Sequence, residues 1–104
     1  MRRVLRCDGV VPQWQIGDRD PTPNHVRALR AWLVERGARP DFDVTAEGQT
    51  PANDRAAASR QVAPWADGGC TWWMETRWGM PHDAENRMRE IEERIAAGPP
   101  APLA

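Results

Sequence analysis

Residues 41–51 read Asp-Phe-Asp-Val-Thr-Ala-Glu-Gly-Gln-Thr-Pro. Phe42, Val44 and Ala46 alternate with polar neighbours, the two-residue period of a strand that turns one face to a core. The run stops at Gly48 and passes straight into Thr50-Pro51, a pair that can cap and open a helix. A strand delivered into a helix start is the junction of a β/α unit. This stretch therefore predicts parallel strands joined by crossover helices, not hairpins.

The same grammar recurs on both sides. Upstream, Thr22-Pro23 opens a helix in which Val26, Leu29 and Leu33 repeat at helical spacing, and Gly37 and Pro40 close it. Before it, Gly9-Val10-Val11 fits a short strand. Downstream, an Ala-rich helix over Arg55 to Ala63 is expected to kink or end at Pro64, and Gly68-Gly69 turns the chain. Cys70 to Thr76 then alternates as a second strong strand, with Cys70, Trp72, Met74 and Thr76 on one face and Thr71, Trp73 and Glu75 on the other. A last helix runs from about Ala84, with Ala84, Met88, Ile91 and Ile95 in one narrow apolar stripe and Glu85/Arg89 and Glu90/Arg94 at ion-pair spacing. Gly98-Pro99-Pro100 ends it. The order is strand, helix, three times over, and the helix starts expected near Thr22, Thr50 and Asp83 lie 28 and 33 residues apart. A closed eight-fold β/α barrel of about 250 residues spends about 31 on each unit.

Composition narrows the classes. The chain has 104 residues, fourteen of them Arg and none Lys, against fifteen Asp and Glu. With a net charge of −1 and no basic cluster, nucleic acid and anionic lipid are not expected as partners. No apolar run approaches the ~20 residues of a membrane helix and no secretory segment follows Met1, so the expected location is the cytoplasm and no membrane partner is expected. Cys7 and Cys70 are far apart, with no CxxC and no close His pair, so no metal site is expected.

Taken together, Arg6-Cys7-Asp8-Gly9-Val10-Val11-Pro12, Thr22-Pro23 with its helix, Gly48-Gln49-Thr50-Pro51, and Ala63-Pro64-Trp65-Ala66-Asp67-Gly68-Gly69-Cys70-Thr71-Trp72-Trp73-Met74-Glu75 resemble the C-terminal portion of a luciferase-like flavin-dependent oxidoreductase. The resemblance implies an α/β fold, a partial (β/α)8 TIM barrel of about three C-terminal units with parallel strands. These would span residues 1–98, followed by a disordered tail over 99–104. It further implies monooxygenase or reductase chemistry with FMN or a deazaflavin. On this resemblance the chain begins in the fifth helix and supplies strands six to eight, the family's first five strands lying outside it. Three readings of that departure stand side by side: a start upstream of Met1, a remnant, or a piece that self-associates or joins a missing barrel half.

In barrels of this kind a phosphate site is commonly built by the loops after strands seven and eight. The resemblance therefore assigns Gly48, Gln49 and Thr50 to the cofactor phosphate, with Glu75 and Arg77 at the rim, and no catalytic residue is assigned. Trp72 and Trp73 must point opposite ways, and both are expected to be mainly structural. Trp14 and Trp78 are rim positions able to meet a flat ring, while His25 and His82 fall at helix starts without an orienting partner. A different class stays open: a small α/β interaction or structural protein without catalysis, presenting its Trp cluster to a partner.

Overall fold

The computed structural model describes residues 2–14, 17, 19–76 and 83–100. A short 3-10 helix over Arg2–Arg6 leads into strand β1, Gly9–Val10. There follow helix α1 (Pro23–Glu35), strand β2 (Asp43–Gly48), helix α2 (Arg55–Gly68), strand β3 (Trp72–Glu75) and helix α3 (Ala84–Ala97). Among the described residues the fold is thus mixed α/β, with three α-helices and a three-stranded parallel sheet in the order β1-β2-β3. Each strand is laid beside its predecessor, and the parallel pairing is the one that the alternation of strands and helices predicts.

Val44 holds the centre. It pairs with Val10 of β1, and its side chain is buried with Phe42 against Val26 and Leu33 of α1. Leu29, Trp32, Trp14, Trp65 and Cys70 close around that cluster. Two residues on, Ala46 lies in register with Trp73, whose ring meets Trp65 of α2 with centroids 6.2 Å apart. Helices α1 and α2 touch each other, so both cover the Val44 face. Trp72 points the other way and is 64% exposed, which is the opposition of the two tryptophans that period two requires.

Local signals set most boundaries. Thr22 precedes α1 and Pro23 stands in its first turn. His25 Nδ1 accepts the Thr22 N–H at 2.8 Å, so His25 serves the helix start. Asp83 caps α3 by accepting the Glu85 N–H. Helix α2 ends on Gly69, whose φ of +114° suits a residue without Cβ. From α1, the Arg30 guanidinium donates to the carbonyls of Phe42 (2.8 Å) and Gly69 (2.6 Å), tying that helix to the approach of β2 and the end of α2.

One expectation is corrected and another narrowed. The second helix does not start near Thr50: it begins at Arg55, capped by Asp54, which accepts the Ala57 N–H at 3.0 Å. Thr50 is taken up by a contact from β3 described below, and the aspartate supplies the stronger cap. Of the two outcomes expected at Pro64, a kink or an end, the end is ruled out, since the helix continues to Gly68. Pro64 and Arg60 are both exposed, where water can serve a carbonyl deprived of its helical N–H. With the corrected start the helices begin at Pro23, Arg55 and Ala84, 32 and 29 residues apart.

Candidate functional site

At the carboxyl end of β2 the chain leaves the sheet through Gly48, Gln49 and Thr50, beside Glu75 at the end of β3. Gly48 and Glu75 are in register, and the Gly48 carbonyl accepts the Thr76 N–H at 2.8 Å. The Glu75 carboxylate reaches across the strand ends to Thr50. One oxygen accepts the Thr50 N–H at 2.6 Å and the other accepts its hydroxyl at 2.7 Å. The second oxygen also accepts the indole N–H of Trp73 at 3.1 Å. Thr50 is only 2% exposed, so its polar atoms must find partners inside the protein, and Glu75 supplies them.

The cluster extends to α3. Arg94 donates to the Thr50 hydroxyl oxygen at 3.0 Å and to the Pro51 carbonyl at 3.1 Å, and its other terminal nitrogen donates to the Gly98 carbonyl. The threonine hydroxyl thus donates to the carboxylate while accepting from the guanidinium, a charge-assisted chain of hydrogen bonds from Arg94 to Glu75. Gln61 of α2 donates to the Gln49 carbonyl at 2.9 Å. Gly48 has a packing reason of its own: a Cβ there would lie 2.7 Å from the Trp73 ring.

Several hollows adjoin this corner, among them one of about 250 Å³ lined by Trp73, Glu75, Arg94 and Ile95. A cleft of about 470 Å³ lies over the carboxyl ends of the strands, its lining including Trp14, Ala46, Gly48, Gln61, Trp65 and Trp73. A smaller hollow of about 220 Å³ lies between the Gln49–Asn53 loop and α3, where Glu90 and Glu93 line it. The cleft offers flat apolar surface with a polar rim. The smaller hollow is acidic and disfavours an anion.

Of the residues expected at a site, Gly48, Gln49, Thr50 and Glu75 come together at this corner, and Trp14 joins the cleft wall. Arg77, Trp78 and His82 lie outside the described residues, as do residues 101–104 of the tail. The N–H groups of Ala52 and Asn53 precede α2 and are not part of its first turn, because that turn starts at Arg55. Sequence reasoning missed Arg94, which was expected to pair with Glu90, and missed Trp65, Gln61 and the indole N–H of Trp73. Arg94 meets its target 44 residues away, and no local pattern encodes such a contact.

Cys70, half-buried beside Arg30, has its thiol pushed above the ordinary value by burial, with the Arg30 charge pulling the other way. Among the described residues no group of three His, Cys, Asp or Glu is placed to hold a metal ion. None of the described helices is long and apolar enough to cross a membrane. No protein-family model matches the chain, and no curated protein or solved structure matches it.

Proposed function

We propose that this chain is the C-terminal portion of a luciferase-like flavin-dependent oxidoreductase, and that the cleft over its strand ends receives the flavin ring. The observation that carries the reading is the position and lining of that cleft: it opens at the carboxyl ends of parallel strands, the usual ligand side of such sheets, between Trp14, Trp65 and Trp73. The in-order strands and helix starts 32 and 29 residues apart are what successive units of a β/α barrel wall would give. When bound, the flavin would supply hydride transfer or oxygen activation, and the protein's part is to hold and orient it.

The two ends of a flavin mononucleotide fit differently. The indoles and Ala46 suit the flat ring. At the phosphate end, Gly48, Gln49, Thr50 and Glu75, with Arg77 beyond, form the proposed contact set, but Glu75 already holds the Thr50 N–H and hydroxyl. A phosphate or a deazaflavin tail must compete with that carboxylate.

Riboflavin, which lacks the phosphate, separates the two ends. Titrating riboflavin and FMN against the indole fluorescence should give saturable quenching by both, with similar dissociation constants, and Trp14→Leu should weaken both. Glu75→Gln should then make FMN the tighter of the two. Absence of quenching by either flavin up to about 1 mM would remove the reading.

One observation favours a second reading, an interaction protein without catalysis. Trp72 and Met74 stand exposed on the sheet face opposite α1 and α2, an apolar surface suited to a partner. Flavin binding that depends on Trp14 but not on Trp72 argues for the first reading; no flavin binding, with association lost in Trp72→Ser, argues for the second.

A further inference from the structure

Helix α3 sits on the protein with its polar side inward. Arg94 holds it to Thr50 and Pro51, and Glu90 and Glu93 face the same loop across the small hollow. Ala84, Met88 and Ile95 turn outward, Met88 55% and Ile95 74% exposed, while Ile91 between them is half-buried and Ile95 also borders a hollow shared with Trp73 and Arg94; no residue of the helix is fully buried. An amphipathic helix ordinarily does the reverse, turning its apolar stripe to the core. The stripe has the 4-3-4 spacing of a coiled-coil seam, placing Ala84 and Ile91 at d and Met88 and Ile95 at a. Its flanks are segregated by charge: Glu85 and Glu92 fall at e, Arg87 and Arg94 at g.

We infer that α3 is a self-association surface, and that its occupant is the α3 helix of a second copy of this chain in parallel orientation. Charge complementarity selects that partner. In a parallel pair each g residue meets the e′ residue five positions on in the other helix, so Arg87, which already has a partner in its own chain, is brought to Glu92 of the second copy as well, and the twofold axis repeats the contact. An antiparallel pair sets e against e′ and g against g′, opposing Glu to Glu and Arg to Arg. Arg94 stays on Thr50 and Pro51, so the pairing leaves the anchoring of α3 intact. Two heptads bury a small area, which places the contact among concentration-dependent interfaces. This inference does not rest on the flavin reading.

Sedimentation equilibrium of the full chain tests it. The expected result is a monomer–dimer equilibrium at concentrations on the order of 10–500 µM. Ile95→Asp should leave only monomer with the cooperative melt of the body retained. Glu92→Arg should raise the dissociation constant by about tenfold, and the exchange Arg87→Glu with Glu92→Arg should restore it to within about threefold. In a Cys7→Ser chain, Ala84→Cys should cross-link to its own kind under mild oxidation, because parallel helices bring the two copies of position 84 together. Monomer throughout the range overturns the inference. So does association that survives Ile95→Asp, which would assign it to the Trp72–Met74 face, and so does a charge exchange that fails to restore pairing.

Discussion

Helices α1 and α3 are built from the same kind of sequence and have opposite fates. Both carry apolar residues at helical spacing and both begin at a polar cap, yet α1 buries Val26 and Leu33 completely while α3 buries nothing. The difference lies in what each helix meets. Helix α1 lies over Val44 and Phe42 and closes a core; α3 is held by polar contacts to a loop. Amphipathicity makes a helix and gives it a side, and the surrounding surface decides whether that side is filled.

The widest break in the comparison comes from paired truncations. Leu33→Ala should cost about 2–5 kcal/mol, because a fully buried leucine leaves a cavity. Ile95→Ala, in dilute solution where the chain is monomeric, should stay within about 0.5 kcal/mol. Urea melts of the two variants measure both values, and similar losses would mean that α3 packs more firmly than its exposure indicates.

A middle effect is expected at the junction between the two regions. Glu75→Ala strips the acceptor from the buried Thr50 N–H and hydroxyl and should cost about 1–3 kcal/mol. Glu75→Gln keeps one oxygen and should cost less. Chemical denaturation ranks the two, and a smaller loss for alanine than for glutamine would show that the carboxylate does not hold the loop.

The smallest effect belongs to the α1 side and appears only at high pH. Burial raises the Cys70 thiol above its ordinary value of 9.0. Between the unfolded and folded values the unfolded chain has lost the proton that the folded one retains, so stability falls as pH rises through that window. Melts from pH 8 to 11 (an interval on the scale of the ordinary thiol range) should therefore decline less in Cys70→Ala than in the wild type.

What could be read from the sequence was local. Thr22 and Asp83 mark helix starts because the partners of each, the His25 ring and the Glu85 N–H, lie within three residues, and the alternation of Phe42, Val44 and Ala46 places β2 because each step of a strand reverses the side chain. Thr50-Pro51 carries the same local signal and misleads, since Glu75, 25 residues on, takes both polar atoms of Thr50 and Asp54 caps the helix instead. The grouping of Gly48, Thr50 and Glu75 was accessible because adjacent parallel strands bring their carboxyl ends together. The arrival of Arg94 was not, for its i, i+4 neighbour Glu90 offered a nearer partner.

Gly48 and Trp73 share one fixed volume. A Cβ on residue 48 would lie 2.7 Å from the indole of residue 73, so neither position can change freely without the other. In any lineage that descends from this chain the two sites are expected to drift as a couple. Where 48 gains a methyl or more, 73 should shrink to a smaller ring or an aliphatic, and a lone change at 48 should be rare. Such linked variation would be a usable search key for distant kin, because it depends on shape alone and survives the loss of any ligand.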